Sequence, residues 1–182
     1  MKRVGIVFLL LMLCATARAQ EDAQAQALLD ADQFVKLGKS LEDEITSKMP
    51  GWTHRSIQPI EGSQGVIIQL WQTGDIAVKI AITKYLKPQE AEGAFNEFKS
   101  MFRGQEQAAR NRGKTLSLVR EDLSTLGDEG FVLDDRGSEA VAFRKGRFVV
   151  NVSIQRPESS KDAFFSRKFA EHAARTLERF YN

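Results

Sequence analysis

The chain has 182 residues, with 26 lysines and arginines against 24 aspartates and glutamates, two histidines and one cysteine. A single cysteine excludes a disulfide framework and a cysteine-built metal site. The near-balance of charge excludes the strongly basic surface on which nucleic-acid binding rests.

Lys2 and Arg3 precede an apolar run, Val4 to Cys14, that is too short to span a bilayer. Ala17-Arg18-Ala19 follows, with small residues where a signal peptidase reads, so residues 1–19 are expected to be a signal peptide and the protein to be exported, periplasmic or secreted. A cut after Ala17 fits the same rule. A lipoprotein signal through Cys14 wants a small residue before it, and Leu13 is there instead. Removing the leader removes Lys2, Arg3, Arg18 and the cysteine, which brings basic and acidic residues almost level. Residues 20–33 read as a polar helical or disordered lead, and 34–182 as one α+β domain.

Phe34, Leu37, Leu41 and Ile45 recur at helical spacing, and Met49-Pro50-Gly51 ends that segment. Three strands are expected next, at 52–60, 66–72 and 76–84. In the last of these Ile76, Val78, Ile80 and Ile82 alternate with Ala77, Lys79, Ala81 and Thr83. If the strands have one apolar face, Val66, Ile68 and Leu70 should meet that set, with Leu70 opposite Val78 and Thr73-Gly74-Asp75 as a three-residue loop. Pro88 opens a long helix with Ala91, Phe95, Phe98 and Phe102 on one stripe; Gly104 marks a break and Gly113 a stop.

A second strand group follows at 115–120, 130–134, 139–144 and 148–155. Asp135-Arg136-Gly137 suits a three-residue loop that sets Phe131 opposite Val141. Lys145-Gly146 suits a two-residue loop that sets Phe143 opposite Phe148 and Arg144 opposite Arg147. A helix from about Lys161 to Tyr181 closes the chain, capped by Ser159 or Ser160, with Phe165, Phe169, Ala173, Leu177 and Phe180 inward. The fold class is α+β: a single antiparallel sheet of six to seven strands with helices packed on one face. The two strand-plus-helix halves also invite a pseudo-twofold arrangement.

No motif for catalysis or metal binding stands out. His54 falls on an edge strand and His172 beside the last helix's apolar stripe, where each reads as a boundary or surface histidine. There is no Gly-x-Ser-x-Gly elbow, no His-Glu-x-x-His pair and no glycine-rich phosphate loop. Asp135 to Glu139 lacks the alternating oxygen ligands of a calcium loop. No catalytic residue, metal or cofactor is therefore expected. Two surfaces are candidates for binding. Arg144, Lys145 and Arg147 gather at a hairpin tip, where facing arginines invite an anion. Gln69, Trp71 and Lys79 share the other face of the first hairpin, an aromatic patch if no helix covers it. An exported binding module is the expected function, with a protein or cell-envelope component as partner. The alternatives are a carrier of a small apolar ligand between sheet and helices, and a carboxylate-dependent hydrolase.

The segment Leu126 to Gln155, with Gly127-Asp128-Glu129 ahead of two strands joined by Phe143-Arg144-Lys145-Gly146, resembles a segment of uncharacterised bacterial exported proteins. The order of elements is similar to that of the PsbP/Mog1-like fold. That resemblance implies a helix-backed antiparallel sheet and an accessory or binding role, and it carries no site residues.

Overall fold

Residues 76–82 are extended, and their even-numbered side chains turn into a core as the alternation requires. The computed structural model describes residues 32–56, 65–113, 119–123, 125–135, 138–155 and 165–181. Helix α1 covers 32–48 and is followed by strands β1 (Thr53–Ser56), β2 (Val66–Thr73) and β3 (Ile76–Lys84). Helix α2 (Pro88–Arg110), strands β4 (Val119–Asp122), β5 (Glu129–Asp135), β6 (Ser138–Lys145) and β7 (Phe148–Gln155), and helix α3 (Phe165–Tyr181) complete the order. The chain divides into two compact units, 1–36 and 37–182. Of the first, only the opening turn of α1 is described, where Lys36 pairs with Asp32 at 2.6 Å. The expected signal peptide, Pro59, the loop residues Arg136 and Gly137 and the Ser159/Ser160 cap lie outside the described residues, and the side chains of 134–139 lie outside the described side chains.

The seven strands form one antiparallel sheet in the order β1-β2-β3-β7-β6-β5-β4. The fold is α+β, two meanders joined where β3 pairs with β7. Ile80 lies opposite Val152, and Ile82 opposite Val150, so the centre of the sheet is a wall of fully buried aliphatic residues.

All three expected hairpin registers shift. Thr73 pairs with Ile76 and Trp71 with Val78, so the first loop is Gly74-Asp75. Asp135 pairs with Ser138 and Phe131 with Ala142; Lys145 pairs with Phe148 and Phe143 with Val150. The first loop shortens from three residues to two, and the last keeps two but moves one residue along, to Gly146-Arg147. Gly74 (φ 53°) and Gly146 (φ 55°) take the first loop position in the left-handed region that short hairpins demand.

The helices do not keep to one face of the sheet. Following the register, Trp71, Val78, Ile154, Val150 and Phe143 share one face, on which α3 lies, with Phe169 6.1 Å from Trp71. Phe131, Leu133, Ala140, Ala142 and Val149 share the opposite face and pack against Phe95, Phe98 and Phe102 of α2. Expecting helices on one face assumed that the other stays wet. Phe131 and the α2 phenylalanines make the second face a core as well, since aromatic side chains bury large apolar areas. A pseudo-twofold axis relating antiparallel β3 to β7 would stand normal to the sheet and put α2 and α3 on the same side, so it is not present.

Helix α2 starts at Pro88 in the first turn, with Lys87 as N-cap, passes through Gly104 without a break, and ends before Gly113 (φ 69°). Glu106 reaches from it to accept the Val119 N–H at 2.9 Å, tying α2 to β4.

Candidate functional site

The two candidate surfaces fare differently. Trp71 and Gln69 are not at a surface: Trp71 has no exposed area, and Gln69 is buried beside it. The one-residue shift turns both toward the α1 and α3 side. There the Trp71 indole N–H donates to Gln69 Oε1 (3.2 Å), and the Gln69 amide donates to the Gly38 carbonyl of α1 (2.7 Å). Gln69 thus converts a polar core position into a tether for α1. Lys79 is exposed, on the opposite face of β3, so the three residues do not form one patch.

At the hairpin tip the correction is chemical. Arg144 lies opposite Val149, so Arg144 and Arg147 do not face each other. The guanidinium of Arg144 instead turns inward to the chain's own acids: Nε donates to Glu129 Oε1 at 2.8 Å and Nη1 to Asp128 Oδ2 at 2.7 Å. Asp128 also accepts the Gly146 N–H at 2.8 Å, and its own N–H donates to the Arg144 carbonyl at 2.8 Å. Burial works against the Arg144 charge, but Glu129 and Asp128 outweigh it and raise its pKa above the ordinary arginine value. Arg147 stacks its guanidinium on Phe148 and Tyr181, 5.8 and 5.9 Å from the ring centres.

Gly127-Asp128-Glu129 and Phe143-Arg144-Lys145-Gly146 are therefore one clamp. Gly127 is required for space: a Cβ there would overlap the Arg144 carbonyl oxygen. Gly130 is nearly as confined, between Leu123 and Phe143.

The clamp forms one wall of a shallow cleft of about 430 Å³. Thr125, Leu126, Gly127 and Asp128 line one side, Lys145 the rim, and Glu171, Ala174, Arg175 and Glu178 of α3 the other. Lys145 reaches Glu178 across it at 3.4 Å. Leu126 closes the turn through its N–H to the Leu123 carbonyl (3.0 Å). The cleft carries both signs of charge on a rigid frame.

Behind the α3 wall lies a second charged group. Glu44 of α1, with its side chain 12% exposed, accepts from Arg179 at 2.8 Å and sits 3.1 Å from His172 Nδ1. The hydrogen bond from Arg179 pulls the Glu44 pKa below the ordinary value against the opposing effect of burial, and His172 adds to the pull when its Nδ1 carries a proton. His172 is buried, not a surface residue, and Arg175 approaches its Nδ1 at 3.0 Å. The other histidine also holds α1: His54 of β1 pairs with Glu42 at 2.9 Å and lies against Trp71, 4.8 Å between ring centres.

Of the six candidate binding residues, then, the structure brings Arg144, Lys145 and Arg147 to one end of the sheet, with Lys145 alone lining the cleft. Glu171, Arg175 and Glu178 join it from α3. Their spacing of three and four puts them on one helix face, which the sequence shows, but not which strand end that face meets. Among the described residues no group of three histidine, cysteine, aspartate or glutamate side chains could hold a metal ion, and no helix is long and apolar enough to cross a membrane. No protein-family model, curated protein or solved structure matches the chain.

Proposed function

We propose that the chain is an exported, non-catalytic interaction module that engages a partner protein through the cleft between the Thr125–Asp128 turn and α3. The carrying observation is the clamp. Arg144, Asp128 and Gly146 tie the turn to the hairpin, so the cleft sets Lys145 against Glu171 and Glu178 in a defined pattern, as polar recognition requires. Rim charges of this kind favour a partner segment of complementary pattern over an apolar small molecule. The carrier reading has less support, because side chains with no exposed area, including Phe95, Phe131, Phe143 and Phe169, occupy the space between sheet and helices. Hydrolysis has less still: Asp128 and Glu129 are committed to Arg144, and no histidine lines the cleft. Export rests on Lys2, Arg3, the Val4–Cys14 run and Ala17-Arg18-Ala19.

A photo-crosslinking residue placed at Glu171, in cells that make the protein, is expected to give a discrete higher-mass adduct. The same residue at Glu97, exposed on α2, should give none. Equal labelling at both positions, or none at Glu171, would contradict the proposal.

A further inference from the structure

His172 Nδ1 stands 3.1 Å from Glu44 Oε1 and 3.0 Å from an Arg175 guanidinium nitrogen. One ring nitrogen offers either a lone pair or a proton, so it cannot accept from Arg175 and donate to Glu44 at once. With a neutral ring protonated on Nε2, Nδ1 accepts from Arg175. With Nδ1 protonated, the N–H points to Glu44 and meets the Arg175 cation with like charge.

The two neighbours are not equally free to yield. Glu44 is 12% exposed and is held by Arg179 at 2.8 Å; the Arg175 side chain is 54% exposed, borders the cleft, and has only a long 3.9 Å contact of its own to Glu44. We propose that His172 is a protonation switch that holds Arg175 against the α1–α3 interface when neutral and releases it into the cleft when charged.

The groups that act on the ring are Glu44 from α1 and Arg175 and Arg179 from α3. Among the described side chains, the face of β3, β6 and β7 beneath α3 is aliphatic and aromatic, with Lys84 and Lys145 at its end and Lys145 paired with Glu178. Histidine is the side chain that gains or loses a proton under mild conditions, so protonation of this ring is the event that would set the release. Acidification would free a cation at the cleft, and that consequence alone rests on reading the cleft as a partner site.

The test needs no ligand. In the full chain carrying His54→Gln, which leaves His172 as the single histidine, ring ¹⁵N shifts and rotation of the Arg175 guanidinium are followed by NMR from pH 8 to 5.5. At pH 8, Nδ1 should be an unprotonated acceptor and Arg175 should rotate slowly. At pH 5.5 both ring nitrogens should be protonated and rotation about tenfold faster, as loss of one hydrogen bond to a charged group implies. An Nδ1–H ring at pH 8, or Arg175 rotation unchanged across the range, would overturn the switch. A pH response that persists in His172→Gln would overturn it too, by assigning the change to another group. Crosslinking at Glu171 reports on the cleft separately, so the failure of one idea is distinguishable from the failure of the other.

Discussion

Replacing Trp71 with alanine is expected to cost about 3–5 kcal/mol of unfolding free energy, the range for truncating a buried large aromatic side chain. Trp71 has no exposed surface and sits in a ring cluster: His54 lies 4.8 Å away and Phe169 6.1 Å, and Phe169 in turn is 4.8 Å from Trp52. Truncation leaves a cavity where β1, β2 and α3 meet, and it strips Gln69 Oε1 of its indole donor. Urea denaturation followed by far-UV circular dichroism measures the loss. Trp71→Phe, which keeps a ring in place, should cost only about 1–2 kcal/mol. A Trp71→Ala variant within about 0.5 kcal/mol of the parent, the range of ordinary surface changes, would mean that the residue faces water.

Alanine at Gly127 is expected to destabilise the fold by about 3 kcal/mol, at the upper end of overpacking effects. The added methyl meets the backbone carbonyl of Arg144, which belongs to a strand and has little room to retreat. The turn has to lift off the hairpin, and the Asp128 and Glu129 contacts to Arg144 go with it. Gly104→Ala provides the contrast. Gly104 lies within α2 with open space where a Cβ would be, so alanine there should stabilise by about 0.5–1 kcal/mol through helix propensity. Two identical substitutions of opposite sign, measured by thermal melting, separate spatial need from backbone freedom. Near this chain length each kcal/mol moves the midpoint by roughly 2–4 °C.

How much of this was legible beforehand differs by level. Pro88 and the phenylalanine stripe announced α2, and Gly113 its end, because helix punctuation is local. Strand order within each meander was equally plain from Gly74 and Gly146. Register was not. The parity argument assumed a single buried face, but β2 reads Val66-Ile67-Ile68-Gln69-Leu70-Trp71 and has apolar residues on both. The larger aromatic area of Trp71 decided its orientation, and Gln69 followed it inward because the Gly38 carbonyl was there to receive its amide.

The clamp was half-visible. Gly127-Asp128-Glu129 and Phe143-Arg144-Lys145-Gly146 stand out as motifs in the sequence, where each by itself suggests turn chemistry or an anion-seeking tip. Their partnership depends on the β5–β6 register, which places Glu129 opposite Arg144. The Glu44–His172 contact joins residues 128 positions apart, and the α3 half of the cleft faces a turn from a distant part of the chain. Such contacts follow from topology and helix placement, and no local pattern encodes them.

The central claim is that the turn and the hairpin act as one clamped unit through Arg144. A double-mutant cycle of Arg144→Met and Glu129→Gln tests it most directly, because it isolates their coupling from the cost of either change. The clamp predicts a coupling energy of about 1–2 kcal/mol, in line with a part-buried, charge-assisted hydrogen bond at 2.8 Å. Additivity within about 0.3 kcal/mol would contradict it, and the rigid wall of the cleft would fall with it.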